Sequence, residues 1–196
     1  MKHKKVGILI FDEVEVLDFA GPFEVFSITE NDEGKKAFEV HTIAKSKELI
    51  SARNGLQIKP DYDFIGTPQL DILIVPGGYG AEEIEIHDKA TIEWLKWNST
   101  RVEIMASVCT GAFLLAEAGL LDGKQVTTHW MDTDRLEKEY PRLCVLRKVK
   151  FVDSHPIITS GGISAGMNMS FHIVKKLLGA DIARNTAKRM EYDINI

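Results

Sequence analysis

Apolar residues in this chain come in short continuous runs rather than in strict alternation. Lys5–Phe11, Asp71–Val75 and Val102–Val108 are the clearest cases. Such runs suit strands buried on both faces, as in a parallel sheet, rather than strands with one wet side. Phe38–Ala44, Lys124–Thr128, Val145–Val152 and Ile157–Thr159 read as further strands, and Asn54-Gly55 between Ile50 and Leu56-Gln57-Ile58 is a hairpin signal. Helical spacing covers Asp18–Ile28, where Phe19, Phe23, Val25 and Phe26 form the packing face, and Lys89–Trp97. Ala112–Ala118 is a compact apolar helix stopped by Gly119, and Met131–Tyr140 ends at Pro141. Ser164–Leu178 and Ala180–Met190 are two closing helices parted by Gly179.

Strands alternating with helices predict an α/β fold of the flavodoxin-like, doubly wound kind: a mostly parallel sheet with helices on both faces. No Pro/Ser linker and no repeat divides the 196 residues, so one domain spanning 1–196 is expected. Ligands of such sheets bind beyond the carboxyl ends of the strands. Three features fall there: the turn Asp12–Asp18, the loop Pro76-Gly77-Gly78-Tyr79-Gly80, and Cys109.

A formal net charge of −5 lacks the basic footprint of non-specific nucleic-acid binding, and no apolar stretch approaches the roughly 20 residues of a membrane span. The basic start Met1–Lys5 and apolar Val6–Phe11 are too short for a signal peptide and are followed at once by Asp12, Glu13, Glu15 and Asp18. A reducing, cytoplasmic location is therefore expected, with no nucleic-acid or membrane partner. The two cysteines, Cys109 and Cys144, form neither a disulfide framework nor a zinc pattern. Cys144, in Arg142-Leu143-Cys144-Val145-Leu146, is most simply a core residue.

Ala106-Ser107-Val108-Cys109-Thr110-Gly111-Ala112 carries the strongest chemical signal. A nucleophile between a strand and a helix sits on a sharp turn that demands small residues two before and two after it, here Ser107 and Gly111. The helix N-terminus that follows favours thiolate over thiol. The competing reading of Cys109 is a small buried hydrophobe. Gly77 and Gly78 let the backbone approach a ligand, and their N–H groups with that of Thr110 could form an oxyanion-type hole. The bland alternative is a tight βα turn.

Asp18, in Val16-Leu17-Asp18-Phe19-Ala20-Gly21-Pro22, is by position an N-cap for a helix starting near Phe19. Alternatively it is a carboxyl among apolar groups, raised in pKa and able to shuttle a proton. His129, after Val126-Thr127-Thr128, admits two roles, base to the thiol or hydrogen-bonded histidine at a helix start, and spacing does not choose.

These motifs resemble the ThiJ/PfpI family of the class I glutamine amidotransferase-like superfamily, almost end to end. Leu17-Asp18-Phe19-Ala20-Gly21-Pro22, Val75-Pro76-Gly77-Gly78, the Cys109 elbow and Thr127-Thr128-His129-Trp130 carry the resemblance. Thr159-Ser160-Gly161-Gly162-Ile163-Ser164-Ala165-Gly166 and Met190-Glu191-Tyr192-Asp193 join them. Within the family the chain is most similar to the isocyanide hydratase subgroup. The resemblance implies a homodimer, a Cys109 nucleophile with Asp18 as its acidic partner, and no metal or organic cofactor. It further implies a small electrophilic substrate positioned near Gly78, Thr110 and the loop of Gly161, Gly162 and Ile163. Peptidase-like members place His directly after the nucleophile, where this chain has Thr110. Members acting on glyoxals or glycated groups carry Glu where it has Asp18. A related domain occurs fused to helix-turn-helix segments; with Ile196 as the last residue, no such segment is expected here.

Overall fold

The computed structural model describes residues 3–194. In chain order the elements are β1 (Lys4–Leu9), α1 (Val16–Ile28), β2 (Phe38–Ala44), β3 (Ile50–Ser51), β4 (Gln57–Ile58), β5 (Tyr62–Asp63) and β6 (Ile72–Val75). Then come α2 (Tyr79–Glu83), α3 (Lys89–Ser99), β7 (Ile104–Ser107), α4 (Gly111–Glu117), β8 (Gln125–Val126) and α5 (Thr133–Glu139). The chain closes with β9 (Cys144–Val145), β10 (Phe151–Ser154), β11 (Ile157–Ser160), α6 (Ala165–Leu178) and α7 (Ala180–Arg189).

Seven strands form the main sheet in the order β10-β11-β7-β6-β1-β2-β5, and only the β10–β11 pair is antiparallel. The continuous apolar runs supply its middle: every residue of β6, β7 and β11 is buried. Helices α1, α6 and α7 pack together on one face, and α2, α3 and α4 pack together on the other. This is the flavodoxin-like arrangement that the alternation predicts.

Chain order reverses at β1, which lies between β2 and β6. Parallel registers such as Ile8↔Ile74, Val75↔Ser107 and Ser107↔Thr159 bring the carboxyl ends of β1, β6, β7 and β11 to one edge. The four loops that follow these strands converge there.

Three expectations need correction. Val145–Val152 is not one strand. It breaks into β9 and β10 around a charged segment in which Lys148 adopts a left-handed φ of 59°. The ladder of Lys124–Thr128 shrinks to β8, which pairs in parallel with β9 outside the main sheet. Cys144 is exposed, because alternation in that short strand turns Leu143 and Val145 inward. The hairpin around Asn54-Gly55 forms as expected, with β3 and β4 antiparallel and Asn54 at φ 60°.

Candidate active site

Cys109 lies two residues beyond the end of β7 and two before the start of α4, at a φ of 55°. A non-glycine residue in this left-handed region is held there by its surroundings. Backbone contacts do the holding: Val108 N–H donates to the Val75 carbonyl at 3.0 Å, Cys109 N–H to the Gly161 carbonyl at 3.2 Å, and the Thr128 hydroxyl to the Cys109 carbonyl at 2.8 Å. A Cβ on Gly111 would lie 2.7 Å from the Pro76 carbonyl oxygen and nearer still to that of Val75. A Cβ on Gly77 would lie 2.5 Å from the Thr110 nitrogen. The β6 loop and the elbow therefore touch backbone to backbone, which explains the small residues expected around a nucleophile turn.

Asp18 is the third residue of α1, behind Glu15 at the cap position, so the N-cap reading is set aside. Its side chain is completely buried. Oδ2 accepts from Gly77 N–H at 3.0 Å and Oδ1 from Ile163 N–H at 3.1 Å. The Cys109 thiol is close enough for the two groups to influence each other's ionisation. Burial pushes the Asp18 carboxyl up to about 7, and the charge of Glu15 adds to the rise, against the pull of the two amides and the thiol.

Burial also drives the Cys109 thiol well above its ordinary range, helped by the charges of Asp18, Asp132 and Glu82. The Thr110 N–H works in the opposite direction and is outweighed. The expectation that the helix terminus tips Cys109 toward thiolate is thus reversed: desolvation and three carboxylates win over one amide. The two groups form a coupled pair that holds two protons below about pH 7 and one above.

The oxyanion-type hole needs a second correction. Gly77 N–H is committed to Asp18, and Gly78 N–H donates to Thr110 Oγ1 at 3.0 Å. Of the three amides expected there, only that of Thr110 faces sulfur. Gly78 nonetheless has to be glycine. Its φ is 118°, and a Cβ would lie 2.5 Å from the Glu15 nitrogen.

Cys109 opens into a cleft of about 280 Å³ lined also by Gly78, Thr110, His129 and Ile163. His129 Nδ1 lies 3.2 Å from Asp132 Oδ2. Its ring rests on Gly162, where a Cβ would lie 3.1 Å from Cγ and closer to Cδ2. Ile163, next in the chain, has a φ of 55° that aims its N–H at Asp18. Gly161 contributes its carbonyl to Cys109 rather than a donor to the cleft.

Sequence reasoning missed the remaining lining: Glu15, Arg53, Tyr79, Glu82, Glu83, Met131 and Asp132. Asp132 alone left a sequence signal, three residues after His129. Among the described residues no cluster of three or more His, Cys, Asp or Glu is placed to hold a metal ion, and no helix is long and apolar enough to cross a membrane.

Known proteins resemble this chain in sequence or fold to different degrees. The chain is 33% identical over 189 residues to isonitrile hydratase from Pseudomonas putida, covering 96% of this chain and 78% of that one. It is 26% identical to the transcriptional regulator GbdR of Pseudomonas aeruginosa, covering 97% of this chain but 51% of the regulator. Among solved structures, a ThiJ/PfpI family protein from Pseudomonas syringae superposes with a TM-score of 0.87 at 26% identity, over all of this chain and 78% of that one. Drosophila melanogaster DJ-1beta shares the fold with a TM-score of 0.85 at 17% identity, over 98% of this chain and all of that one. Residues 4–176 match the model of the DJ-1/PfpI family, and the chain belongs to that family.

Proposed function

We propose that this protein is a cysteine-dependent hydratase that adds water to an isocyanide and releases an N-substituted formamide. The observation that carries the reading is the fully buried Asp18 carboxyl, whose charge acts on the Cys109 thiol at the elbow. The similarity to an isonitrile hydratase over 96% of the chain supports it.

The working form is the pair with one proton. As sulfur bonds to the terminal carbon of the isocyanide, the thiol proton passes to Asp18. Asp18 delivers it to that same carbon, giving a covalent thioimidate. Water then adds across the carbon–nitrogen double bond, its oxygen to carbon and one proton through Asp18 to nitrogen. Collapse of this adduct breaks the carbon–sulfur bond. The remaining hydroxyl proton returns to sulfur through Asp18, and the formamide leaves. Isocyanide plus water equals formamide, so atoms and electrons balance. The covalent route divides one difficult addition into two easier ones.

A redox sensor is the weaker reading, because burial and acidic neighbours keep the thiol protonated and oxidation proceeds through thiolate. A homodimer with one site per copy, acting in the cytoplasm, belongs to the same proposal, and light scattering at micromolar concentration checks the dimer. The decisive experiment is turnover of a simple aryl isocyanide, with a glyoxal and an amide as alternatives. Wild type should hydrate the isocyanide. Cys109→Ala should fold and be inactive, while Cys144→Ala, at an exposed site, should retain activity. Full activity of folded Cys109→Ala would overturn the covalent mechanism.

A further inference from the structure

We propose that the cleft is a charge filter: Glu15, Glu82, Glu83 and Asp132 around Cys109 select neutral or cationic substrates with an apolar body and turn anionic ones away. The inference rests on the reading that Cys109 is the reacting group.

The four carboxylates come from three parts of the fold, the cap of α1, the short helix α2 and the loop before α5. Against them stands one lining guanidinium, Arg53, whose Nε is 3.9 Å from Glu15. Arg135 meets Glu82 at 2.5 Å but also serves Glu139, and it does not line the cleft. Asp132 is held by His129. Glu83 is exposed and has no ion-pair partner among the described residues. Nor do the amides of Gly77, Gly78 and Ile163 counter this charge, since all three are committed to protein acceptors.

Carboxylates lining one concave wall act together, because low-dielectric walls focus their field into the cleft. An incoming anion meets that field before it reaches sulfur. It would also add a second negative charge beside Asp18 in the one-proton form. A neutral isocyanide meets neither cost. Its body has apolar surface to rest on: Tyr79 and Met131 expose 53% and 67% of their area, and Ile163 exposes 40%. A cationic group at the rim gains from Glu82 and Glu83.

The field can be read without turnover. In a Cys144→Ser background, Cys109 is the only thiol. Its reaction rates with a trimethylammonium-ethyl and a sulfonato-ethyl methanethiosulfonate are measured and each is divided by the rate with free mercaptoethanol. The normalised ratio should favour the cationic reagent by about tenfold or more at low ionic strength and shrink toward one at high salt. Glu82→Gln/Glu83→Gln should reduce the ratio several-fold. A ratio near one, or one favouring the anion, overturns the inference.

In a second arm, kcat/KM is compared for size-matched isocyanides carrying an ammonium group, no charge or a carboxylate. The carboxylate should trail the neutral compound by about tenfold. Selective labelling without turnover of any isocyanide would discard the hydratase reading and keep the filter. Equal turnover of all three compounds would discard the filter and keep the hydratase.

Discussion

The amide of Ile163 donates to Asp18 Oδ1 across a separation of 145 residues. With Gly77 on the other oxygen, the carboxylate ties the β6 loop and the β11 loop to α1. Two donors facing one side chain make asparagine a poor mimic here. Its single oxygen satisfies one amide, and its NH2 must face the other. Asp18→Asn is therefore expected to lose about 1–3 kcal/mol of stability at acidic pH, the cost of a buried unsatisfied donor, besides the roughly 10²–10⁴-fold loss of rate for removing a proton carrier. Thermal melts at pH 5 beside turnover rates check both parts. Normal turnover with an unperturbed melt would remove Asp18 from the chemistry.

The same residue imposes a pH dependence on folding. An unfolded Asp18 titrates near 3.8 and the folded one near 7, so between these values the folded state binds more protons. Its contribution to stability is full below the lower value, falls as pH rises through the window, and is flat above about 7. The total is roughly a few kcal/mol. Wild-type melting temperature should fall between pH 5 and 8, with a smaller slope in Asp18→Asn. Turnover runs the other way: kcat/KM should climb as pH rises through about 7, where the pair loses its second proton, and then level.

Gly162 and His129 interlock so closely that Gly162→Ala must displace the imidazole or the loop. Overpacking of this kind costs about 1–3 kcal/mol. The loop also carries the Ile163 amide, so the substitution should lower kcat as well as the melting temperature. A Gly162→Ala protein with unchanged melting and unchanged kcat would show that the interlock is dispensable.

Much of this architecture is legible along the chain because its causes are local. Buried parallel strands announce themselves as apolar runs, and Gly119 and Gly179 stop their helices with φ values of 72° and 96°. The elbow is legible for the same reason, since Gly111 must be small wherever two backbones touch. The exposure of Cys144 is not legible because a two-residue strand has too little periodicity to reveal its inward side. The state of the Cys109 thiol is not legible because a helix terminus is visible in sequence, whereas the burial of sulfur and the gathering of Asp18, Asp132 and Glu82 around it come only with folding. The same is true of the expected amide hole, whose donors are claimed by Asp18 and by the Thr110 hydroxyl.

The contact between Gly77 and the elbow has a bearing on how the protein tolerates change. Gly77 packs directly on the backbone of Thr110 and Gly111, so the position of the Cys109 backbone is written in main-chain geometry and only χ1 remains to place its sulfur. Substitutions in the distant core, at Phe26 or Phe38 for example, can weaken the fold without moving Cys109. Variants of that kind should melt earlier yet turn over at the parental rate until they unfold, so robustness and catalysis can drift independently in this chain.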